Sequence, residues 1–245
     1  MLIAHLSDPH VGLRPDAADR FRQVVSHLVA VRPAPDVVIL TGDVADHGMP
    51  EEYELARKIL APMAIPVVVG TGNHDVREHF AAAFAPGHEG PVDTAIDVGG
   101  YRFLMLDSLV PAPPGGRVDY GTLSPQTLDW LDRHLDDGRP SFVCLHHPPV
   151  DIHVRPADNV KLTNAAELEA VLRRHGNVVA VLVGHAHTMC ATTFAGLPLL
   201  IGGGITSTVC LDEEDMPSPN TAVAPTLAWH LVGEDNRVVT HWRSL

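Results

Sequence analysis

Short apolar runs rich in β-branched residues recur along the chain at 2–6, 37–40, 65–69, 103–106, 142–145, 178–183 and 199–201, with longer amphipathic stretches between them. Short buried strands alternating with helical periodicity predict an α/β architecture. A final pair of runs, 226–232 and 237–242, is joined by Gly233-Glu234-Asp235-Asn236 and reads as a hairpin. Antiparallel pairing at that end predicts mixed rather than purely parallel sheets.

The spacing predicts helices in four of the intervening stretches. Phe21, Val24, Val25 and Leu28 repeat at i, i+3, i+4 and i+7, one face of a helix that Asp16 can cap. Pro50 suits a first helical position, with Glu51 and Glu52 next to it at the positive end of the dipole. Ser124-Pro125 opens a third helix carrying Leu128, Leu131 and Leu135. Asn164 with Glu167 reads as a capping box ahead of Leu168, Val171 and Leu172, and Gly176 closes that helix. Three stretches, 111–116, 151–159 and 213–225, are long and rich in Pro, Gly or acidic residues, and are expected to wall a substrate pocket. No repeat, low-complexity tract or linker breaks the pattern, so residues 1–245 are expected to form one domain.

The residues just past the strand ends carry the chemistry. The run 2–6 leads into Ser7-Asp8-Pro9-His10, and 37–40 leads into Thr41-Gly42-Asp43. The run 65–69 precedes Gly72-Asn73-His74-Asp75, 142–145 precedes His146-His147-Pro148, and 178–183 precedes Gly184-His185-Ala186-His187. Ligands of α/β sheets gather at the carboxyl ends of strands, so these ends can converge in one crevice. Scattered core histidines would not repeat this placement. Imidazole, carboxylate and amide oxygen without thiolate suit Mn, Fe, Zn or Co. Asp8–His10 and His185–His187 are i, i+2 pairs, which point to the same side if the backbone is extended. Asp8, His10, Asp43, Asn73, His146, His185 and His187 are too many for one tetrahedral zinc, and they suit two ions about 3.5–4 Å apart. Further histidines, His5 and His230 among them, stand in no ligand-like context. His147 is expected to hold its loop, and Asp107 to bond loop backbone. Asp46 and Asp75 fit two roles equally, satisfying turn amides or orienting a catalytic ring.

Charge narrows the partner. Lys and Arg total 17 against 30 Asp and Glu, a formal net charge of −13. That excess disfavours a nucleic-acid polymer or an anionic membrane surface as partner. An anionic substrate must then be met by something local, such as bound cations. The 3 cysteines, Cys144, Cys190 and Cys210, share no short spacing, which argues against a disulfide framework or thiolate zinc site and points to a reducing, cytoplasmic setting. The N-terminus lacks a basic n-region and reaches Asp8 within eight residues, so a cleaved signal peptide is not expected.

Asp8-x-His10, Gly42-Asp43-x-x-Asp46, Gly72-Asn73-His74-Asp75, His146-His147-Pro148-Pro149 and Gly184-His185-x-His187 together resemble the signature blocks of the calcineurin-like metallophosphoesterases. Pro50-Glu51-Glu52-Tyr53 and Thr193-Phe194-Ala195-Gly196-Leu197-Pro198 add a resemblance to class III cyclic nucleotide phosphodiesterases, with glycerophosphodiester-cleaving enzymes as close relatives. The resemblance implies a four-layer α/β/β/α sandwich with two mixed β-sheets. It implies one metal held by Asp8, His10, Asp43 and His187 and a second held by Asp43, Asn73, His146 and His185, with Asp43 bridging. It further implies that His74 acts as an acid beside the scissile phosphate, oriented by Asp75, with Asn73, His74 and His187 meeting the substrate. The implied reaction is hydrolysis of a small phosphodiester, foremost a 3′,5′-cyclic nucleotide, by in-line attack of a hydroxide shared by two divalent or mixed-valence ions. A glycerophosphodiester is the rival substrate, and assembly into homo-oligomers is a further implication. A non-catalytic metal-binding scaffold on the same fold would be expected to have lost ligands; here every block is complete.

Overall fold

The computed structural model describes residues 1–113 and 116–245; residues 114 and 115 of the expected pocket loop lie outside the described residues. Two mixed sheets form its centre. In the first, β1 (Leu2–Leu6), β2 (Val37–Thr41) and β3 (Val67–Gly70) run parallel, and the hairpin of β10 (Thr226–Val232) and β11 (Val238–Ser244) adds to the free side of β1, in the order β11-β10-β1-β2-β3. The second contains β4 (Thr94–Val98), β5 (Tyr101–Met105), β6 (Ser141–Cys144), β7 (Val178–Val183), β8 (Cys190–Phe194) and β9 (Leu197–Ile201) in the order β4-β5-β6-β7-β9-β8.

Alternation along the strands explains the layering. On β1 and β2, Ala4, Leu6, Val38 and Leu40 pack outward against α1 (Ala17–Ala30), α2 (Pro50–Leu60) and α3 (Arg77–Phe84) through Phe21, Val24, Tyr53, Ala56 and Phe80. The opposite-facing Ile3, Val37 and Ile39 meet Phe103, Phe142, Ala180 and Leu182 of the second sheet. That sheet's outer face, with Val143, Leu145, Val181 and Val183, is covered by α4 (Pro125–Leu135), α5 (Arg155–Asp158) and α6 (Ala165–Arg174). Both faces of the central strands thus bury apolar sets, the condition for a helix–sheet–sheet–helix stack. Among the described residues no helix is long and apolar enough to cross a membrane.

Several elements differ from the sequence expectation. The helix α3 buries only Phe80 and Ala81, too little periodicity to stand out, and of the edge strands β4 has no fully buried residue and β8 only Phe194. Asn164 precedes α6 but makes no side-chain cap: its Oδ1 accepts from the Leu123 amide and its Nδ2 donates to Glu167. It therefore ties two segments together. Ser124, by contrast, does accept from the Thr127 amide and caps α4.

Two buried polar groups brace the stack. Arg77, at the start of α3, donates from Nε to Asp107 Oδ2 at 2.6 Å and from Nη2 to the Leu109 carbonyl at 2.6 Å. Asp107 also accepts from Thr71 Oγ1 and from the amides of Val92 and Leu109. Removing only the cation strands a buried carboxylate, so Arg77→Ala is expected to cost about 3–5 kcal/mol of stability, read as a lower urea midpoint at constant m-value.

The second is a chain of hydrogen bonds that ends close to the strand tips. Thr240 Oγ1 donates to His230 Nδ1 (2.8 Å), His230 Nε2 to His5 Nδ1 (3.2 Å), His5 Nε2 to Thr41 Oγ1 (3.0 Å) and Thr41 Oγ1 to Ser7 Oγ (2.9 Å), a direction that leaves both rings neutral. Burial lowers His230 to about 3, and burial followed by the neighbouring His230 pulls His5 well below its ordinary value. Rings whose folded pKa is depressed contribute stability that is complete above the unfolded value of about 6.5 and is lost as the pH falls towards the folded one. Unfolding free energy is therefore expected to fall between about pH 6.5 and pH 3, and His230→Asn to flatten that slope in acid titrations followed by circular dichroism.

Candidate metal centre

The turns after β1, β2, β3, β6 and β7 meet at one end of the sandwich. Asp8, His10, Asp43 and His187 form one buried group whose donor atoms all lie within 4.8 Å of one another. Asp8 Oδ1 is 3.4 Å from His187 Nε2, and Asp43 Oδ2 is 3.4 Å from His10 Nε2. A second group adjoins it: Asn73 Oδ1 lies 3.0 Å from both His146 Nε2 and His185 Nδ1, and these two nitrogens are 3.2 Å apart. The groups share an atom. Asp43 Oδ2 is also 3.4 Å from His146 Nε2, so one carboxylate oxygen faces both.

The outer nitrogen explains the aim of three of the four rings. His10 Nδ1 pairs with Asp46 Oδ1 at 3.0 Å, His146 Nδ1 donates to the Thr41 carbonyl at 2.6 Å, and His187 Nδ1 meets Ser207 Oγ at 2.8 Å. Each bond fixes the ring and turns Nε2 inward, the usual support for a metal-binding imidazole. His147 is held differently: Ser108 Oγ lies 2.8 Å from its Nδ1 and the Asp119 carbonyl 3.1 Å from its Nε2. It lies within ligand distance of His146 and His185, yet with both nitrogens engaged it serves as a brace for the loop.

The backbone is strained at this place. Asp8, His10, Asp43, His185 and His187 have φ of 55°, 40°, 48°, 66° and 52°, left-handed values that cost a non-glycine residue about 1–3 kcal/mol. The i, i+2 pairs therefore converge through successive left-handed turns rather than along an extended segment. Glycine fills the tightest positions. Gly42 has φ 91°, and a Cβ on it would stand 2.5 Å from His146 Nδ1; a Cβ on Gly72 would collide with the Asp43 carboxylate.

These donors fit metal ions. Asp8 Oδ1 is buried with no hydrogen-bond partner among the described residues. His10 Nε2 and His187 Nε2 face each other at 3.0 Å, lone pair against lone pair unless a proton or cation lies between them. Burial raises Asp8 to about 6, whereas Asp43, against the same burial, is pulled well below the ordinary range by His146 and His10. Burial opposes charge on His146 as well, but the Asp43 carboxylate lifts it to about 9. Burial lowers His187 to about 4 and keeps His10 and His185 low too, so these rings offer neutral lone pairs at pH 7.

His74 lies outside both groups. Its amide donates to Asp43 Oδ1 at 2.8 Å, and its ring stands edge-on to His10 with centroids 4.5 Å apart. Nδ1 approaches the Asp46 carbonyl at 3.0 Å and carboxylate at 3.2 Å. Burial lowers its pKa, but the bond to Asp46 and the charge of Asp43 outweigh that and raise it. Asp75, expected to orient this ring, does not reach it: its carboxylate accepts from the amides of Val44, Ala45 and Gly72. Burial, with Asp43 nearby, lifts Asp75 to about 7. The orienting position belongs to Asp46, which holds His10 and His74 together. The signal was present in the sequence as the acid three residues beyond Asp43.

A cavity of about 660 Å³ opens beside Asn73 and His74, walled by residues 109–113 and 116–118 and by the start of α3. Part of the expected pocket loop thus lines it. The stretch 151–159 contains α5, and 213–225 begins in a short 3₁₀ turn at Asp212–Glu214.

Comparison with known proteins agrees with this arrangement. The pattern of the calcineurin-like phosphoesterase family matches residues 1–189. A probable cyclic nucleotide phosphodiesterase of Rhodococcus erythropolis is 36% identical over 228 residues, covering 86% of this chain and 73% of its own. The glycerophosphodiester phosphodiesterase GpdQ of Enterobacter lignolyticus is 31% identical over 221 residues, covering 82% and 78%. A dimetal phosphatase from Danio rerio superposes with a TM-score of 0.77 at 17% identity, covering 100% of this chain and 96% of its own, a likeness of fold. With the family pattern spanning every strand tip that supplies the cluster, the chain belongs to the calcineurin-like phosphoesterases.

Proposed function

We propose that this chain is a metal-dependent hydrolase of small phosphodiesters, foremost 3′,5′-cyclic nucleotides, working with two metal ions. The observation that carries the reading is Asp43 Oδ2, 3.4 Å from a ring nitrogen of each donor group and so placed to bridge two cations. Asp8, His10, Asp43 and His187 would hold one ion, and Asp43, Asn73, His146 and His185 the other. Bound there, a pair drawn from Fe, Mn, Zn or Co supplies an activated water at neutral pH and positive charge for the phosphoryl oxygens. Two dications against two carboxylates leave the pocket positive, which lets an acidic protein attract a monoanionic diester.

The side chains do the rest. Asn73, His74 and His187 border the place where phosphorus would sit. His74 as an imidazolium, its Nδ1–H held by Asp46, would pass its Nε2 proton to the departing oxygen and be left as the neutral ring, and Asp46 keeps that ring in line. The name of the Rhodococcus relative favours cyclic nucleotides, and that of the Enterobacter relative keeps glycerophosphodiesters as the second reading. The chain is read as one domain of the reducing cytoplasm, a setting that its three free cysteines favour, acting on small molecules rather than on nucleic-acid polymers or membranes.

The test is a panel of cyclic AMP, a 2′,3′-cyclic nucleotide, glycerophosphocholine and a phosphomonoester on metal-reconstituted protein. Cyclic AMP is expected to give the highest kcat/KM; a preference for the monoester overturns the reading. Chelation is expected to abolish turnover and to lower the melting temperature, since a ligand at 100 times its Kd contributes about 2.7 kcal/mol of stability. A melting curve indifferent to chelator, with no metal found by elemental analysis, would remove the centre altogether.

A further inference from the structure

The cavity beside His74 contains a guanidinium that the reaction above does not use. Arg117 Nη1 lies 3.0 Å from His74 Nδ1, and its Nε donates to the Asp119 carboxylate. Asp119 in turn meets the metal centre from its other side: Oδ1 is 3.5 Å from Asn73 Nδ2, and its carbonyl is 3.1 Å from His147 Nε2. Residues 117–119 supply no candidate metal ligand, yet they are fastened to His74, Asn73 and His147.

His74 Nδ1 cannot satisfy both of its neighbours. The Asp46 carbonyl and carboxylate, at 3.0 and 3.2 Å, require an N–H there, whereas Arg117 requires a lone pair. With the N–H given to Asp46, the arrangement that leaves Nε2 for the departing oxygen, Arg117 Nη1 loses that acceptor and is left to solvent or to a ligand, its side chain being 47% exposed. It lines a cavity of about 660 Å³, the size of a small-molecule site, whose other walls include the apolar Val76, Leu109, Val110, Pro111 and Val118. Arg77, the second guanidinium on the wall, is committed to Asp107 and the Leu109 carbonyl. Arg117 is therefore the cationic fork there that an incoming group can recruit.

We propose that Arg117 determines specificity: the cavity receives the organic substituent of the diester, its apolar walls taking ring faces and the Arg117 guanidinium hydrogen-bonding acceptor atoms, as a nucleoside carries them. The claim rests on the phosphodiesterase reading and adds to it the cavity and the side chain that would select the substituent. A short alkyl group has neither ring faces nor acceptors and cannot use the site. Arg117 is suited to this because its fork can engage two acceptors at once, which a lysine cannot. Its half-exposed side chain makes substitution compatible with folding.

Two six-membered cyclic diesters that differ only in the nucleoside test this: cyclic AMP and cyclic propane-1,3-diyl phosphate, each assayed on the metal-loaded protein and its Arg117→Ala variant. The kcat/KM for cyclic AMP is expected to fall by about 10- to 100-fold, the range of one charge-assisted hydrogen bond, and that for the propanediyl ester by at least about fivefold less. Equal losses on both would mean that Arg117 serves the phosphoryl group, and no loss on cyclic AMP would mean that it serves neither; each overturns the proposal. Binding supplies a readout that does not depend on turnover. Calorimetric Kd for adenosine 5′-monophosphate is expected to rise about tenfold or more in Arg117→Ala, with a much smaller change for inorganic phosphate. If the wild type binds the nucleotide no more tightly than phosphate, the substituent site does not exist, whether or not the protein cleaves diesters. If it binds the nucleotide through Arg117 yet cleaves no diester, the phosphodiesterase reading alone fails.

Discussion

Asp43→Asn is expected to empty both metal positions together and to lower kcat/KM by about 10³-fold or more, since metal-derived nucleophile and charge are lost at once. The reason is geometric. Asp43 Oδ2 faces His10 Nε2 and His146 Nε2 at equal distances of 3.4 Å, while Oδ1 is occupied by the His74 amide. An amide in this place can present at most one oxygen, and it brings no charge to offset two cations. Elemental analysis after gel filtration checks the prediction, with melting curves as a second measure. Chelator should lower the melting temperature of the wild type and leave that of Asp43→Asn where it is. Full metal stoichiometry in the variant would show that each ion is held without the shared carboxylate.

The second large effect concerns His74. Replacing it by alanine is expected to reduce kcat by about 10²–10⁴-fold on an unactivated diester, the usual value of a positioned acid, with metal content unchanged. Both halves rest on the contacts. The hydrogen bond between His74 and the cluster runs from its main-chain amide to Asp43, which alanine keeps, whereas its ring bonds to Asp46 and Arg117 and only packs edge-on against His10. The loss should shrink on a 4-nitrophenyl diester, whose leaving group departs without a proton. A loss that is the same on both esters would point to misplacement of Asp43 rather than to a missing acid.

The positions of chemistry were readable because the strands announce them. Asp8, Asp43, Asn73, His146, His185 and His187 each come within a few residues of the end of an apolar run, and a chain that buries those runs in two facing sheets must bring their ends together. Asp75 was harder to place. Nothing in a Gly-Asn-His-Asp turn says whether the acid faces the ring before it or the amides of a neighbouring turn, and the choice falls to Val44 and Ala45, which present their N–H groups from β2's far end. Asp46 resolved the other way for the same reason, with His10 and His74 both in its reach. The left-handed turns were only faintly legible: all five residues are Asp or His, types that tolerate such backbone, but what imposes it is the close packing around the site. The edge strands β4 and β8 escaped because edges carry less of the apolar alternation that signals a strand.

The pairing of β1 with β10 bears on how the molecule is made. Leu2 stands opposite Leu231, and the turn after β1 is completed by partners from the same late region: Ile205 donates its amide to the Ser7 carbonyl, and Thr206 donates its hydroxyl to the Asp8 carbonyl. β1 can pair with β2 soon after both are made, but its other edge stays open until residues near 230 are available. A chain that has not yet reached β10 therefore leaves one edge of an apolar strand open and Asp8 without its Thr206 bond. Asp8 gains its full set of partners only once the late strands are in place, so the candidate metal site is completed by long-range contacts, the kind that form slowly.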